Sequence, residues 1–508
     1  MSKKASGILI HPTSFFGPYG CGDLGDGAYK FVDWLKKAGQ KILQVLPLGP
    51  TGFGDSPYQS FSAFAGTPYI ISFDKLIEKG LLTKEDLKNY PKFEPKRVDY
   101  YGIYINNFKI LKIAFENFKK QKETKEYKDF IKENSHWLDD YALFMAIKDS
   151  KNGASWDAWE EDLRLRKNLN NVSDEIKNSA NFYKFIQFEF FEQWVALKKY
   201  AEKQGIEIVG DAPIFVSYDS ADVWANQSLF YLDKNGKPEI VAGVPPDYFS
   251  ATGQLWGNPH YKWAEMKKDD YAWWKKRIGH LLQFVDCVRV DHFRGFEAYW
   301  EVKYGEATAI NGKWVKAPGM DFFKSLKKEY GDKLQDIVIA EDLGIITKEV
   351  NELKNTYKLP GMKIFEFAPF GKGKFTDDNG VEKDNTKHPY LPDNYEENCV
   401  AYPGTHDNDT LYGWFYALDS IKQKEVLDYL KITDKKDLNW AVIEKLLNSK
   451  AKWVVFTIQD VFGLPSDCRM NTPGTCGIHN WSWRITKEML TDDIAEKLLK
   501  FTKKADRI

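Results

Sequence analysis

The sequence is poor in cysteine and has no long apolar run, and these two scarcities exclude several classes of protein. Its five cysteines are odd in number and include no C-x-x-C pair, which argues against a disulfide framework and against a zinc cage. No segment approaches the roughly 20 consecutive apolar residues that a membrane helix requires. The first apolar run, Gly7 to Ile10, is too short for the core of a signal peptide. We therefore expect reduced thiols in the cytoplasm and no membrane partner.

An excess of charge of either sign is also missing. The 72 Lys and Arg residues balance 73 Asp and Glu residues, which leaves a formal net charge of -1. Such a balance gives no electrostatic footprint for nucleic acid or for an anionic membrane, and it suits a near-neutral substrate. Aromatic residues are abundant, with 17 Trp and 27 Tyr. Most of them will fill a large core, but exposed rings offer flat faces that suit sugars.

Eight short apolar runs, each ending in polar residues or in Gly and Pro, read as strands. Helical patterns such as 27–40 lie between several of them. Strands that alternate with helices predict a parallel sheet, and eight such units favour a closed (β/α)8 TIM barrel of the α/β class. A doubly wound open sheet is the alternative, although no G-x-G-x-x-G opens a helix after the first strand. The runs are 7–14, 41–50, 206–215, 284–293, 336–344, 362–369, 398–407 and 453–463.

The spacing of these runs is uneven, because more than 150 residues separate the second from the third. Much of that interval is charged and helix-like, as in 77–90, 104–123 and 181–204. We expect one catalytic domain over 1–508, with a mainly helical subdomain inserted at approximately 50–195 after the second strand. The last of these helical segments could return as a helix of the barrel.

Polar residues follow four of the predicted strands. One acid after a strand is usually a helix cap or a turn residue. Four such strand ends would meet at the mouth of a barrel, where several acids repel one another unless cations or chemistry hold them. The residues are Asp211 after the third strand, Arg289, Asp291 and His292 at the fourth, Glu341 and Asp342 at the fifth, and His406, Asp407 and Asp409 after the seventh.

The stretch CVRVDHFRGF places an arginine and an aspartate inside an otherwise apolar strand. Side chains two residues apart share one face of a strand, so Arg289 and Asp291 should point together. The guanidinium would favour the ionised, nucleophilic form of the carboxylate. A purely structural ion pair is the alternative.

Three segments, VRVDHFRGF, AEDLG and GTHDNDT, resemble in this order the signature regions of the α-amylase superfamily. Further segments resemble one branch of it, the 4-α-glucanotransferases of glycoside hydrolase family 77. These are 11–25, 46–66, 210–224, 243–261 and 469–475. The resemblance spans nearly the whole chain and is least diagnostic from about 80 to 200 and in the C-terminal tail.

The resemblance implies a retaining double displacement on α-1,4-glucans. Asp291 would be the nucleophile, Glu341 the general acid and base, and Asp407 the residue that stabilises the transition state. Retaining enzymes need one ionised and one protonated carboxyl about 5–5.5 Å apart. Burial and like-charged neighbours would raise the pKa of Glu341. The resemblance calls for no metal and no cofactor.

The same resemblance implies a set of substrate-binding residues. His406 matches residues that hold sugar hydroxyls, and Tyr58 matches an aromatic platform beneath the same sugar. Trp256 lies in a segment, approximately 243–261, that resembles a loop over the acceptor side of the active-site mouth. The full predicted set is Tyr58, Ser56, Asp211, Trp256, Arg289, His406 and Asn471.

Three alternatives to a transferase acting on maltodextrins and other α-glucans stay open at the level of sequence. A hydrolase of the same superfamily would use the same glycosyl-enzyme intermediate, and only a sugar acceptor and exclusion of water distinguish transfer. A divalent-metal barrel enzyme would use the four acids as ligands, although Arg289 beside Asp291 disfavours it. A catalytically silent glucan-binding protein would retain the acids without turnover. The four acids are Asp211, Asp291, Glu341 and Asp407.

Overall fold

The computed structural model describes residues 4–246, 250–377 and 380–508. These ranges contain fourteen strands and seventeen α-helices, joined by short 3-10 turns. The strands are β1 (Ala5–Leu9), β2 (Ile42–Gln44), β3 (Glu207–Pro213), β4 (Ile240–Val244), β5 (Gln254–Pro259), β6 (Cys287–Asp291), β7 (Ala298–Lys303), β8 (Gly312–Lys316), β9 (Val338–Ala340), β10 (Gly361–Ile364), β11 (Lys374–Thr376), β12 (Glu382–Asp384), β13 (Cys399–Tyr402) and β14 (Trp453–Thr457). The helices are α1 (Asp26–Lys37), α2 (Phe73–Glu78), α3 (Tyr100–Lys119), α4 (Lys125–Ser150), α5 (Glu161–Arg164), α6 (Asp174–Lys203), α7 (Ala221–Ala225), α8 (Trp263–Lys268), α9 (Ala272–Phe284), α10 (Gly319–Tyr330), α11 (Leu334–Ile337), α12 (Lys348–Thr356), α13 (Leu411–Ala417), α14 (Ser420–Leu430), α15 (Leu438–Leu447), α16 (Ile458–Phe462) and α17 (Asp492–Lys504).

Eight of the strands form one parallel sheet in the order β10-β13-β14-β1-β2-β3-β6-β9. Its two edge strands, β9 and β10, approach each other. The N–H of Ala340, on β9, donates to the oxygen of Pro360, immediately before β10, at 2.9 Å. The sheet is therefore a nearly closed barrel with strands in chain order. Each of the eight predicted runs overlaps one of these strands, although β1 and β10 begin before their runs. The (β/α)8 prediction is confirmed, and the doubly wound open sheet is wrong.

The barrel strands are apolar because both of their faces are covered. β13 and β14 are buried over their whole length, and β6 is buried except at Asp291. Parallel strands lined by helices outside and by one another inside read as continuous apolar runs. The charged Arg289, buried within β6, is therefore conspicuous, whereas Asp291 lies where the strand leaves the core.

Helices α2 to α6 fill the long interval between β2 and β3. The helix-like pattern at 77–90 is not one helix, because α2 ends next to Gly80, which has φ +70°. The last helix, α6, leads into β3, and its Trp194 indole N–H donates to Phe284 O on α9 at 2.9 Å. It therefore packs as a helix of the barrel. The division of 50–195 into a separate subdomain stays a prediction.

A second, antiparallel sheet with the order β5-β4-β7-β8 follows the carboxyl ends of β3 and β6. The segment 243–261, expected to be a loop, contains the whole of β5 and the end of β4, and the two strands pair as a hairpin. Residues 247–249 of this segment lie outside the described residues. Its position over the active-site mouth stays a prediction. Among the helices within the described ranges, none is long and apolar enough to cross a membrane.

Candidate active site

Strand register brings the predicted acids to one end of the barrel. Across β3 and β6, Asp211 lies opposite Arg289. Across β6 and β9, the residues immediately before Asp291 and Glu341 are paired. The two carboxyl groups therefore leave neighbouring strands at the same level, at the carboxyl end where barrel active sites form.

Arg289 is shared between two carboxylates. Its Nη1 lies 2.9 and 2.7 Å from the two oxygens of Asp211, and its Nη2 lies 3.0 Å from Asp291 Oδ1. The side chains of Arg289 and Asp211 are 4% and 0% exposed, whereas that of Asp291 is 28% exposed. Burial raises the pKa of Asp211 to about 6, and Arg289 opposes this shift. Arg289 thus faces Asp291 as the strand period predicts, but Asp211 is its more enclosed partner.

Glu341 is held by two backbone N–H groups. Its Oε2 accepts from His292 N at 2.7 Å, and its Oε1 accepts from Leu343 N at 2.9 Å. Burial raises the pKa of Glu341 to about 7, Asp291 adds to the shift, and Arg289 and the two N–H groups oppose it. The direction is the one predicted from the sequence. A carboxyl group whose pKa is raised to about 7 therefore lies beside an aspartate that an arginine contacts.

Tyr58 connects Asp211, on β3, to the segment after β13. Its hydroxyl donates to Asp211 Oδ2 at 2.9 Å and lies 2.9 Å from His406 Nε2. Because the single hydroxyl proton is used on Asp211, His406 Nε2 must carry a proton toward the Tyr58 oxygen. The same Nε2 is 3.3 Å from Asp407 Oδ2. The Tyr58 and His406 rings stack at 5.3 Å, which fixes the orientation of the imidazole.

Asp407 is fixed by the segment 469–471. Asn471 Nδ2 donates to Asp407 Oδ1 at 2.7 Å, and Arg469 donates to the backbone oxygens of Asp407 and Asn471 at 2.9 and 2.8 Å. Loss of solvation opposes ionisation, but His406, Asn471 and Arg289 together hold the pKa of Asp407 well below its usual range. Sequence reasoning singled out Asn471 and missed Arg469, although the arginine stands two residues earlier in the same motif.

Two further predicted residues border this network. Ser56 Oγ accepts from Tyr58 N at 3.3 Å and shapes the turn that presents the tyrosine. The half-buried Trp256 ring meets the His292 ring edge to face at 4.9 Å and 89°. All ten predicted site residues therefore lie in, or one contact away from, a single network at the carboxyl end of the barrel.

Two acids from the same motifs have other partners. Asp342 forms a buried ion pair with Lys354 at 2.6 Å and accepts from Met362 N at 2.7 Å, so it ties β9 to β10. Asp409 accepts from Ser466 Oγ at 2.7 Å. Both are explained by structural contacts, which is the ordinary reading of an acid after a strand.

The donor set does not suit a divalent cation. Arg289 occupies the space between Asp211 and Asp291, and its guanidinium already satisfies oxygens that a metal would need. Among the residues that the structure describes, no group of three or more His, Cys, Asp and Glu side chains is arranged to hold a metal ion. The geometry therefore does not support the metal-enzyme alternative.

Removal of the Tyr58 hydroxyl tests the network. We expect Tyr58→Phe to lower kcat on maltotriose, a substrate that the family resemblance implies, about 10- to 100-fold, because Asp211 and His406 lose a hydrogen bond in a partly dry site. The ring, and with it the sugar stacking that the family resemblance implies, is retained, so KM should change less. The exposed Tyr416 is a matched control, and Tyr416→Phe should leave kcat unaltered. Wild-type kcat in Tyr58→Phe would contradict the expectation.

The fold and the site define a class before any relative is considered. A (β/α)8 barrel whose strand ends gather an arginine-held aspartate, a glutamic acid of raised pKa and a third aspartate of lowered pKa has the carboxyl groups of an enzyme that acts on glycosidic bonds.

Comparison with known proteins gives the family. The model of the 4-alpha-glucanotransferase family matches residues 10–491. A 4-alpha-glucanotransferase of Clostridium butyricum is 46% identical over 97% of this chain and 99% of its own, and one of Thermus thermophilus is 43% identical over 99% of both. The structure of amylomaltase from Streptococcus agalactiae in complex with acarbose superposes with a TM-score of 0.93, at 39% identity, over 99% of this chain and 100% of that one. The chain belongs to the 4-alpha-glucanotransferase family.

The family assignment confirms the resemblance seen in the sequence and favours the transferase over the hydrolase alternative. Relatives that carry the transferase name match along essentially the whole chain, including the segment between β2 and β3 that is least diagnostic in sequence.

Proposed function

We propose that the protein transfers α-1,4-glucan segments between maltodextrins by a retaining double displacement, with Asp291 as nucleophile, Glu341 as general acid and base and Asp407 as transition-state stabiliser. One observation carries the proposal. Two carboxyl groups on adjacent strands have different surroundings, since Arg289 binds Asp291 at 3.0 Å while burial raises the pKa of Glu341 to about 7. These surroundings suit the nucleophile and the acid that retaining glycosyl transfer requires.

In the first step an Asp291 oxygen attacks the anomeric carbon of the donor glucan. The bond from that carbon to the glycosidic oxygen breaks, and its electron pair takes the proton of Glu341, so the leaving chain departs as an alcohol. The products are a glycosyl ester of Asp291 and an ionised Glu341. The leaving chain then vacates the acceptor side of the site.

In the second step the Glu341 carboxylate removes the proton from a hydroxyl of the acceptor sugar. The acceptor oxygen attacks the anomeric carbon and displaces the Asp291 carboxylate, so two inversions give net retention. Water in place of the acceptor would give hydrolysis. Trp256 would offer the acceptor a stacking face beside Glu341, and its hairpin would limit entry of water.

The remaining network residues would bind the sugar that reacts. Asp407 is ionised and fixed by Asn471, which suits hydrogen bonds to ring hydroxyls that strengthen as the sugar distorts. His406 and Tyr58 present a stacked pair of rings to the same space. Arg289 and Asp211 orient the nucleophile from below.

The substrate class proposed is a maltooligosaccharide or longer α-glucan. The amylomaltase of Streptococcus agalactiae, whose fold this chain shares, was solved in complex with acarbose, which supports a cleft for oligosaccharides. Neither a metal nor a nucleotide takes part in the proposed steps. We also propose a cytoplasmic location, since all five cysteines are free thiols and three of them are buried.

Incubation with maltotriose tests the proposal. Transfer is expected to yield glucose together with a ladder of longer maltooligosaccharides, resolved by anion-exchange chromatography, because one maltotriose serves as donor and another as acceptor. Glucose and maltose without longer products would show a hydrolase instead. The absence of any product, with maltotriose binding retained, would favour the silent glucan-binding protein.

The pH dependence follows from Glu341. Donor cleavage needs its protonated form, and the protonated fraction falls as pH rises through a pKa of about 7. We therefore expect kcat/KM for maltotriose to decrease above about pH 7, by about tenfold per pH unit. The fluoride of α-glucosyl fluoride needs no proton to depart, so kcat/KM for this donor should not decrease above about pH 7. A maltotriose profile that stays level to about pH 9 would exclude Glu341 as the acid.

A further inference from the structure

His292 contacts both Glu341, the proposed proton donor, and Trp256, on the β4–β5 hairpin. Its backbone N–H donates to Glu341 Oε2 at 2.7 Å, and its ring meets Trp256 edge to face at 4.9 Å. We infer that His292 is a positioning residue. It links the position of the Trp256 ring to the hydrogen bond that Glu341 accepts from the His292 backbone. The inference rests on the proposed roles of Glu341 and Trp256, and it assigns to His292 a function that its place after the nucleophile does not by itself imply.

The backbone of His292 is unusual. It lies in the left-handed region, with φ 48° and ψ 50°, at the junction between β6 and the 3-10 turn Phe293–Phe296. A non-glycine residue is strained in this region, and asparagine tolerates it better than alanine does. The neighbouring Gly295 leaves room for the ring, because a Cβ there would lie 3.2 Å from His292 Cδ2. Ring and backbone therefore hold a single conformation together.

The His292 ring acts by packing rather than by charge. Its Nε2 is buried and has no hydrogen-bond partner among the residues of 4–246, 250–377 and 380–508. Burial lowers the pKa of His292 to about 4, with Asp291 opposing and Arg294 adding to the shift. The ring is thus neutral at neutral pH, and its contact with Trp256 is one of aromatic packing.

The charges around Glu341 define what His292 can change. Arg289 and Asp291 from β6 face the carboxyl group, and the N–H groups of His292 and Leu343 donate to it. A hydrogen bond to the ionised carboxylate lowers its pKa, so loosening the His292 bond raises it. The second step of transfer needs ionised Glu341. An acceptor sugar that holds Trp256 against His292 would therefore strengthen the hydrogen bond from His292 N–H to Glu341. That bond stabilises the ionised form of Glu341, which the second step requires.

Two substitutions separate backbone from ring. His292→Ala disfavours the left-handed conformation and removes the ring, so we expect the pKa of Glu341 to rise by about one unit, which is the scale of one lost hydrogen bond. His292→Asn keeps the conformation and removes only the contact with Trp256. In that variant the pKa of Glu341 should rise by less than in His292→Ala, by about 0.3 units, while the ratio of transfer to hydrolysis on maltotriose falls about three- to tenfold.

The pKa is measured by 13C NMR on protein labelled in its glutamate carboxyls, with Glu341→Gln assigning the signal. This readout does not depend on turnover, so it stands even if maltotriose gives no ladder and the proposed function fails. Lys431 is the matched control, an exposed residue at φ 58° after α14. Lys431→Ala should lower stability by a similar amount and leave both the pKa of Glu341 and the transfer ratio unaltered.

The inference is overturned if the His292→Ala pKa equals that of wild type, or if His292→Asn leaves the transfer ratio unchanged. A fall in activity of both variants with neither readout moved would mean that His292 serves only to stabilise the fold. The same pKa rise in Lys431→Ala would equally refute it, because the effect would then come from general loosening.

Discussion

The Asp291→Asn variant is expected to lose at least about four orders of magnitude in kcat on maltotriose, equivalent to about 5 kcal/mol of transition-state stabilisation. The amide has nearly the shape of the carboxylate but cannot form the glycosyl ester. The Arg289 to Asp211 contact, at 2.7 Å, does not involve residue 291 and should keep the strand ends in place. Binding of maltotetraose, measured by isothermal titration calorimetry, should survive within about tenfold.

A surface substitution of the same chemistry provides the control. Asp332 has a 96% exposed side chain, and Asp332→Asn should be indistinguishable from wild type in kcat and in binding. An Asp291→Asn variant with kcat within tenfold of wild type would remove Asp291 from the role of nucleophile. Loss of both turnover and binding would point to a damaged cleft instead.

The Glu341→Gln variant is expected to lose about 10²- to 10⁴-fold in transfer from maltotriose, the usual range for a missing general acid and base. The glutamine keeps the shape of the side chain but has one acceptor oxygen, so it can accept from the N–H group of either His292 or Leu343 and not from both. The variant lacks the proton donor of the first step, so a donor with a good leaving group should not need it. It also lacks the base of the second step, which a small anionic nucleophile should not need.

Rescue is therefore the decisive readout for Glu341. α-Glucosyl fluoride with sodium azide should restore turnover in Glu341→Gln and give α-glucosyl azide, while azide leaves the wild type little changed. Glu265, whose side chain is 44% exposed, supplies the matched variant, and Glu265→Gln should need no rescue. Failure of azide to restore turnover, with the variant folded and able to bind glucan, would contradict the acid and base role.

The barrel could be predicted from the sequence because each strand is an apolar run bounded by polar residues. The bounds could not be predicted. The run 336–344, for example, yields only the three-residue β9, since Leu334–Ile337 is helical and the chain leaves the strand at Glu341. Local periodicity cannot locate these ends, which depend on where the neighbouring strands stop pairing.

Part of the site follows from local pattern and part does not. The period of a strand is enough to place Arg289 and Asp291 on one face, 3.0 Å apart. The bonds from Tyr58 to Asp211 and to His406 join residues separated by 153 and 348 positions. No local rule gives such contacts, and for Tyr58 only the family resemblance pointed to the site.

The segment around Trp256 illustrates a different gap. Its Gly and Pro residues favour a loop, yet it pairs as β5 with β4 because the partner strand supplies the hydrogen bonds. Gly257, at φ +79°, accommodates the bend within the strand. A pairing partner thus overrides the turn signal that composition gives.

Identification of the residue that carries the glycosyl ester tests the central claim most directly. Glu341→Gln is incubated with 5-fluoro-α-glucosyl fluoride, which slows the second step so that the ester accumulates, and the peptic peptides are then mapped by mass spectrometry. We predict one added sugar, attached to Asp291 in the peptide that contains this residue. A sugar on Asp211 or Asp407, or an unmodified protein that nevertheless releases fluoride, would contradict a covalent mechanism through Asp291.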